Sequence, residues 1–386
     1  MFVTNQGCMN ISIHTIIDFL EPINRYELSN DEGYKDTQLG KHISAYEDEF
    51  PDLSTADLVI IGCGEMRGMG GNNNTDAPNA VRSAFYGLFH WHKEVSIADV
   101  GNIKVGASIQ DTYAALKAVA SELIEMGKKV VIIGGSHDVT LAQYGAYAQL
   151  NKIIEATCID ARIDLNMDSV LPNDNFLMEM LTGVPNFIKH YNHIGFQSYF
   201  VHPLMLETID KLRFDCFRVG KVKENVEEME PSIRNSHLLT FDIAAIQHAH
   251  APANHLSPNG FTGEEACMLM QYAGMSTNIS SVGIYGYDAA LDSHQLTAKQ
   301  ISHLLWYLMD GIFKSKREAD LSERSEFFEF TMAFAEVETT FLQSKRTGRW
   351  WMQLPDEKFV ACSKIDYIIA SNNDIPERWY RAMERN

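Results

Sequence analysis

A chain of 386 residues with 45% apolar and 22% charged side chains holds enough hydrophobic material for a full buried core, in one large domain or two. Its formal net charge of −19 argues against phosphate backbones and anionic lipid as partners, and the acidic blocks EDEFPD and KENVEEMEP read as solvated surface. No run approaches about 18 uninterrupted apolar residues, and MFVTNQGCMNISIHT lacks the basic start and apolar centre of a signal peptide, so a soluble, cytoplasmic protein is expected.

Six scattered cysteines, Cys8, Cys63, Cys158, Cys216, Cys267 and Cys362, form no CxxC pair and read as reduced core thiols. In chain order, an apolar strand over 58–62 leads into the Gly/Asn-rich loop GCGEMRGMGGNNNTDAP, which has no Gly-Lys-Ser/Thr ending and is a weak phosphate signal. A helix starts near Pro78, with Val81, Phe85 and Leu88 on one face. From Asp111, Leu116, Val119, Leu123 and Met126 recur at helical spacing, and Gly127 ends that helix before a strand over 130–133.

Another helix follows His137, and strands are expected over 153–160, 193–196, 214–219, 238–242 and 279–285. Helices fall near 202–212, 262–274 and 297–314, the second opened by a Thr262 cap with Glu265 three residues on. Seven or more βα alternations with near-continuous apolar strands predict an α/β fold, a mainly parallel sheet covered by helices on both faces. The expected organisation is an N-terminal segment over 1–50, one α/β domain over 51–315 and a C-terminal extension over 316–386 packed on it. In that extension, Trp350 and Trp351 read as aromatics buried by a hairpin strand rather than as a ligand stack.

Three of the apolar runs end in chemistry: VVIIGGSHDVT, EATCIDARIDLN and LLTFDIAAIQHAHAP. His137, Asp160, Asp164 and Asp242 each stand where a buried parallel strand opens into a loop, the edge at which such sheets bind ligands. In DARID, Asp160, Arg162 and Asp164 alternate, so an extended segment places them on one face. Aspartates at strand ends commonly do no more than cap turns. Three matching segments in order favour instead a hard oxygen and nitrogen metal site, which suits manganese.

These segments resemble the ureohydrolases, the family of arginase, agmatinase and formimidoylglutamase, over about residues 58–311. GGSHDVT resembles that family's Gly-Gly-Asp-His-Ser, DARID its Asp-Ala-His-x-Asp and FDIAAI its Ser-Phe-Asp-x-Asp-x-x-Asp; SPNGFTGEE and SVGIYGYDAALDSHQLTA resemble later segments. The glycine-rich loop resembles the family's first active-site loop. The resemblance implies a three-layer α/β/α sandwich, a homo-oligomer, and two manganese ions used to hydrolyse small linear guanidino or formimino compounds.

It also implies roles for single residues. One ion falls to His137, Asp160, Asp164 and Asp242, all present. The second also needs a histidine where Arg162 stands and an aspartate where Ala244 stands; arginine stays protonated and alanine has no donor. Arg162 is therefore expected to replace the second ion, its fork pairing with both Asp160 and Asp242. Asn166 matches a substrate-loop asparagine, whereas Gly286 stands where family members commonly carry a glutamate facing the substrate, with Tyr287 and Asp288 pointing elsewhere. The loop MDSVLPNDNFLMEML lacks the proton-transfer histidine of arginase-like members.

His248, His250 and His255 are better read as polar lining than as substitute ligands, and His193 and His202 as structural. Two functions stand side by side. One is a hydrolase of the C–N bond of a linear amidine, preferably formimidoylglutamate, using one manganese ion. The other is a catalytically degenerate relative, retaining the fold for binding a small ligand or protein, with one ion or none.

Overall fold

Because the strand-like runs are apolar on both sides, each needs a partner strand at either edge and a helix over either face. In a computed structural model describing residues 15–29, 33–72, 75–334 and 337–385, they form one ten-stranded sheet. Its strands are β1 (Leu20–Glu21), β2 (Ser44–Ala45), β3 (Leu58–Gly62), β4 (Ile97–Ile103), β5 (Lys129–Ile133), β6 (Ile154–Ile159), β7 (Ile188–Phe196), β8 (Asp215–Arg218), β9 (Leu238–Asp242) and β10 (Ser281–Tyr285). The order is β1-β4-β3-β5-β10-β9-β6-β7-β8, with β2 also on β4. Every pairing is parallel except that of β1 with β4.

Alternation along the strands feeds two cores. Ile60, Val131, Leu239 and Phe241 enter one with Leu269 and Met270 of helix Gly263–Met275 and Leu304 and Leu305 of helix Leu296–Ser315. Val59, Ile61, Val130 and Ile132 enter the other with Leu116 and Val119 of helix Ile109–Glu125 and Ala146 and Tyr147 of helix Thr140–Gln149. This is the expected three-layer arrangement. The Thr262–Glu265 capping box opens its helix as predicted, whereas Ser108 caps the earlier one and makes Asp111 the third helical residue rather than the first.

Two strands differ from the sequence expectation. β4, sequence IADVGNI, received no assignment from the sequence, where Asp99 and Asn102 interrupt the apolar pattern, yet it is an interior strand with Asp99 fully buried. Arg82 on helix Ala77–Tyr86 makes this possible, its guanidinium donating to both oxygens of Asp99 at 2.7 and 2.9 Å. β7 begins at Ile188 rather than near 193, since His190 and Asn192 find polar partners: His190 Nε2 lies 3.0 Å from Asp215 Oδ2, and Asn192 donates to Thr157 at 3.3 Å.

Strands β11 (Phe327–Phe334), β12 (Val337–Ser344), β13 (Trp350–Gln353) and β14 (Phe359–Cys362) build an antiparallel C-terminal sheet, followed by helices Lys364–Ser371 and Glu377–Arg385. Trp350 stacks on Phe330 and on Tyr367 at centroid distances of 5.4 and 4.9 Å, and Trp351 carries the Arg234 guanidinium over its ring at 4.4 Å. Arg349 ties the sheet down further, pairing with Glu318 at 2.8 Å and donating to the Met275 carbonyl at 2.9 Å. Both tryptophans are therefore buried structural aromatics. Among the described residues no helix is long and apolar enough to cross a membrane. Cys63, Cys158, Cys216, Cys267 and Cys362 are free thiols; Cys8 lies outside the described residues, as do Asn73 and Asn74 of the glycine-rich loop.

Candidate metal centre

The sheet order brings the three sequence segments together. β5, β9 and β6 lie within four adjacent strands, with β10 between β5 and β9, so the loops leaving their C-terminal ends meet over one patch. β5 turns at Gly134 and Gly135, both with φ near +90° (+89° and +88°), into the single 3-10 turn His137–Val139. That turn is fixed from two sides: Ser136 N–H donates to the Glu65 carbonyl at 2.8 Å, and His137 N–H donates to Asn173 Oδ1 at 2.8 Å. Glu65, fully buried, holds Arg67, so the glycine-rich loop packs against the histidine turn.

Nδ1 of His137 faces three carboxylates, with Asp160 at 3.1 Å, Asp164 at 3.4 Å and Asp242 at 3.5 Å. Its Nε2 lies 3.1 Å from Thr240 Oγ1, a contact that sets the ring orientation and presents Nδ1 to the carboxylates. The ligating atoms of His137, Asp160 and Asp242 all lie within 4.8 Å of one another, the one such group among the described residues. Asp164 reaches the imidazole but stands outside that mutually close set.

Charge is concentrated here. Burial, joined by the charge of Asp160, pushes Asp242 up to about 7 and holds Asp164 above the usual carboxylate range. Burial works to lower His137, but Cys158, Asp160 and Asp164 outweigh it and hold the imidazole well above its ordinary value. A buried set of one nitrogen and several oxygens, with more acid than base, fits a hard divalent ion; the one sulfur nearby, Cys158, lies 3.8 Å from Nε2, the nitrogen turned away from the acids.

Arg162 departs from expectation. It pairs with Asp164 at 3.9 Å and Asp174 at 3.3 Å, and with neither Asp160 nor Asp242 within ion-pair distance. The physical reason is that β6 stops at Ile159 and the chain bends at residues 161–162, so DARID does not continue as an extended run, and the side chain, 35% exposed, leans toward Asp174 in the first turn of helix Pro172–Thr182. Burial tends to lower its pKa, but the charges of Asp164, Asp160, Asp242 and Asp174 raise it, so the cation remains electrostatically part of the centre.

Ala244 acts only through its backbone, donating its N–H to Asp242 Oδ1 at 2.7 Å. Asn166 is exposed and turns its carbonyl back onto Asp168 N–H at 3.1 Å, outside the cluster. His248 bonds the Asn254 carbonyl at 2.8 Å and stands beside His255 at 6.0 Å between rings; neither they nor His250 join the ligating group. His193 is buried, with its Nε2 3.1 Å from the Asp160 carbonyl, whereas His202 caps helix Pro203–Lys211. Sequence reading passed over Asn173 and Asp174; the signal available was Pro172 opening a helix with Asp174 in its first turn.

Gly286 explains its own identity. It follows β10, whose Tyr285 pairs with Asp242, and it takes φ +78°. A Cβ there would stand 2.6 and 2.7 Å from the two Asp242 oxygens. No side chain fits while Asp242 keeps its place. Gly286→Ala should therefore lower stability by about 2 kcal/mol or more, from the left-handed backbone and the overlap together. Urea unfolding measures this; an unchanged midpoint would show that the carboxylate moves freely aside.

The match to the arginase family model over residues 56–310 covers most of the 386-residue chain. The chain belongs to the arginase family. In sequence it is 32% identical over 92 residues to formimidoylglutamases of two Staphylococcus epidermidis strains, a stretch covering 23% of this chain and only 30% of theirs. In structure it resembles the formimidoylglutamase of Bacillus subtilis subsp. subtilis (TM-score 0.65, 17% identity), covering 74% of this chain and 95% of that one. It similarly resembles Trypanosoma cruzi formiminoglutamase, solved with Mn2+ (0.63, 14%; 72% and 99%), and the agmatine ureohydrolase of Thermoplasma volcanium (0.57, 18%; 72% and 94%). At these identities the structural likeness establishes the fold, a mostly parallel sheet between helical layers, to which this chain adds the C-terminal antiparallel sheet.

Proposed function

We propose that this arginase-family chain is a metal-dependent hydrolase of the C–N bond of a linear amidine, of the formimidoylglutamate type, working with one manganese ion. The reading rests on the convergence of Asp160, Asp164 and Asp242 upon Nδ1 of His137. Carboxylates buried in such excess are costly without a compensating cation. His137, Asp160 and Asp242 would hold the ion, with Asp164 beside it. When bound, manganese supplies Lewis acidity and lowers the pKa of water.

The chain's own groups hold this machinery in place. Thr240 orients the imidazole, the Ala244 N–H fixes one Asp242 oxygen, and the Arg162 N–H donates to Asp160 Oδ1 at 3.3 Å. Arg162 keeps a permanent positive charge beside Asp164, where the family pattern would offer a histidine ligand. Sequence kinship to formimidoylglutamases over one stretch supports the choice of substrate class. A homo-oligomer is part of the same proposal.

A second reading, a degenerate relative that binds without turnover, is favoured by the contact between Gly286 and Asp242, which leaves no room for a substrate-facing side chain. Elemental analysis after manganese soaking, with assays on formiminoglutamate, agmatine, arginine and guanidinobutyrate, separates the two. One ion per chain with turnover of an amidine supports the hydrolase. Two ions overturn the single-ion site, and a metal-free chain inert on all four substrates replaces the hydrolase with the binding reading.

A further inference from the structure

The sheet does not end at a bare edge. Beyond β8, its last strand, the helices Lys364–Ser371 and Glu377–Arg385 of the C-terminal extension arch over a cavity of about 840 Å³. That volume lies within the roughly 300–1,000 Å³ of small-molecule sites. We propose that this cavity binds a small organic cation, an amine carried on an aromatic or apolar body, independently of the metal centre.

The lining supplies both halves of such a ligand's recognition. Phe196, Phe214, Phe217, Ile209 and Ile369 give an apolar wall. Around it stand seven acidic side chains against three permanently basic ones, Lys221, Arg378 and Arg381. Each of those three cations is already engaged. Arg381 pairs with Asp215 at 2.5 Å and Glu377 at 2.8 Å, Lys221 pairs with Glu224 at 3.1 Å, and Arg378 pairs with Asp366.

What remains is carboxylate. Glu228 has a hydrogen bond from Ser363 and a long 3.8 Å ion pairing with Arg378, and burial still holds its carboxyl above the usual glutamate range. Glu155 reaches only Lys189, at 4.0 Å, and Asp210 forms no ion pair among the described residues. An anion entering this space would meet unmatched like charge. A cation would complete the pairing of Glu228 while its apolar part covers the phenylalanines.

The ligand chemistry is tested with 2-phenylethylamine as probe and 3-phenylpropionate, of similar shape and opposite charge, as control, by titration calorimetry on the full chain. The expected result is saturable amine binding at least tenfold tighter than anion binding. Asp210→Asn combined with Glu228→Gln should weaken the amine at least tenfold. Ser232→Trp, which fills the cavity and leaves every charge in place, should abolish binding without lowering the melting temperature. Binding by the Asp160→Asn variant should match the parent, placing the site away from the metal centre. The proposal is overturned by no saturable amine binding, by equal affinity for the anion, by full binding in Ser232→Trp, or by loss in Asp160→Asn.

Discussion

Arg82→Met is expected to destabilise the chain by about 3–5 kcal/mol, the range seen when one partner of a buried ion pair is removed. Both partners are fully buried. Besides Asp99, the guanidinium donates to Asn102 Oδ1 at 2.5 Å, Asn79 Oδ1 at 3.0 Å and the Gly101 carbonyl at 2.9 Å. Methionine retains much of the volume but leaves the Asp99 carboxylate with only Tyr86 Oη–H at 2.9 Å and Gly101 N–H at 3.0 Å as donors. Denaturant unfolding reads the loss directly. The double variant Arg82→Met with Asp99→Leu should recover most of it, because the main cost is the stranded charge rather than the missing contact. A single variant within about 1 kcal/mol of the parent would mean that Asp99 is protonated or hydrated when Arg82 is gone. Because this pair anchors β4 beside β3, and β3 leads into the loop that holds Ser136, the damage should extend to the candidate metal centre.

Asp160→Asn is expected to abolish stoichiometric manganese binding while leaving the fold intact. Asparagine is nearly isosteric and keeps an acceptor for the Arg162 N–H, so the turn after β6 retains its local bond. What it loses is the charge at the oxygen 3.1 Å from His137. Outer partners of metal ligands are commonly worth about 10–100-fold in affinity, and a direct ligand should exceed that, so a loss on the order of 100-fold or more is expected. Manganese titration followed by electron paramagnetic resonance measures the affinity, and circular dichroism tests the fold. Parent-like manganese affinity in a folded Asp160→Asn chain would remove Asp160 from the site and with it the proposed hydrolase. A fall in both amidine turnover and metal affinity would tie the two together.

The sheet was legible because its strands are continuous apolar runs separated by helical periods, and this pattern depends on local sequence alone. β3, β5, β6 and β9 emerged within a residue or so of their ends. β4 did not, because an aspartate in an interior strand is intelligible only once Arg82, 17 residues earlier, is known to lie against it. The candidate ligands were legible for a related reason. Each follows an apolar run, and parallel order forces all such ends to one edge.

Direction of side chains was another matter. The sequence alone determined that His137, Asp160, Asp164 and Asp242 share one edge of a parallel sheet, and that Arg162 and Ala244 bring no ligand to it. Only the tertiary structure decided where Arg162 points, because that depends on β6 ending at Ile159 and on Asp174 arriving from another helix. It also decided why residue 286 is glycine: β10 lies between β5 and β9, and this neighbour relation presses the backbone against Asp242. The same holds for the cavity under the C-terminal helices, whose charge balance comes from groups as distant in sequence as Glu155 and Arg381. Local periodicity fixes elements and strand ends; which charge meets which is set by long-range packing, and no single segment carries that information.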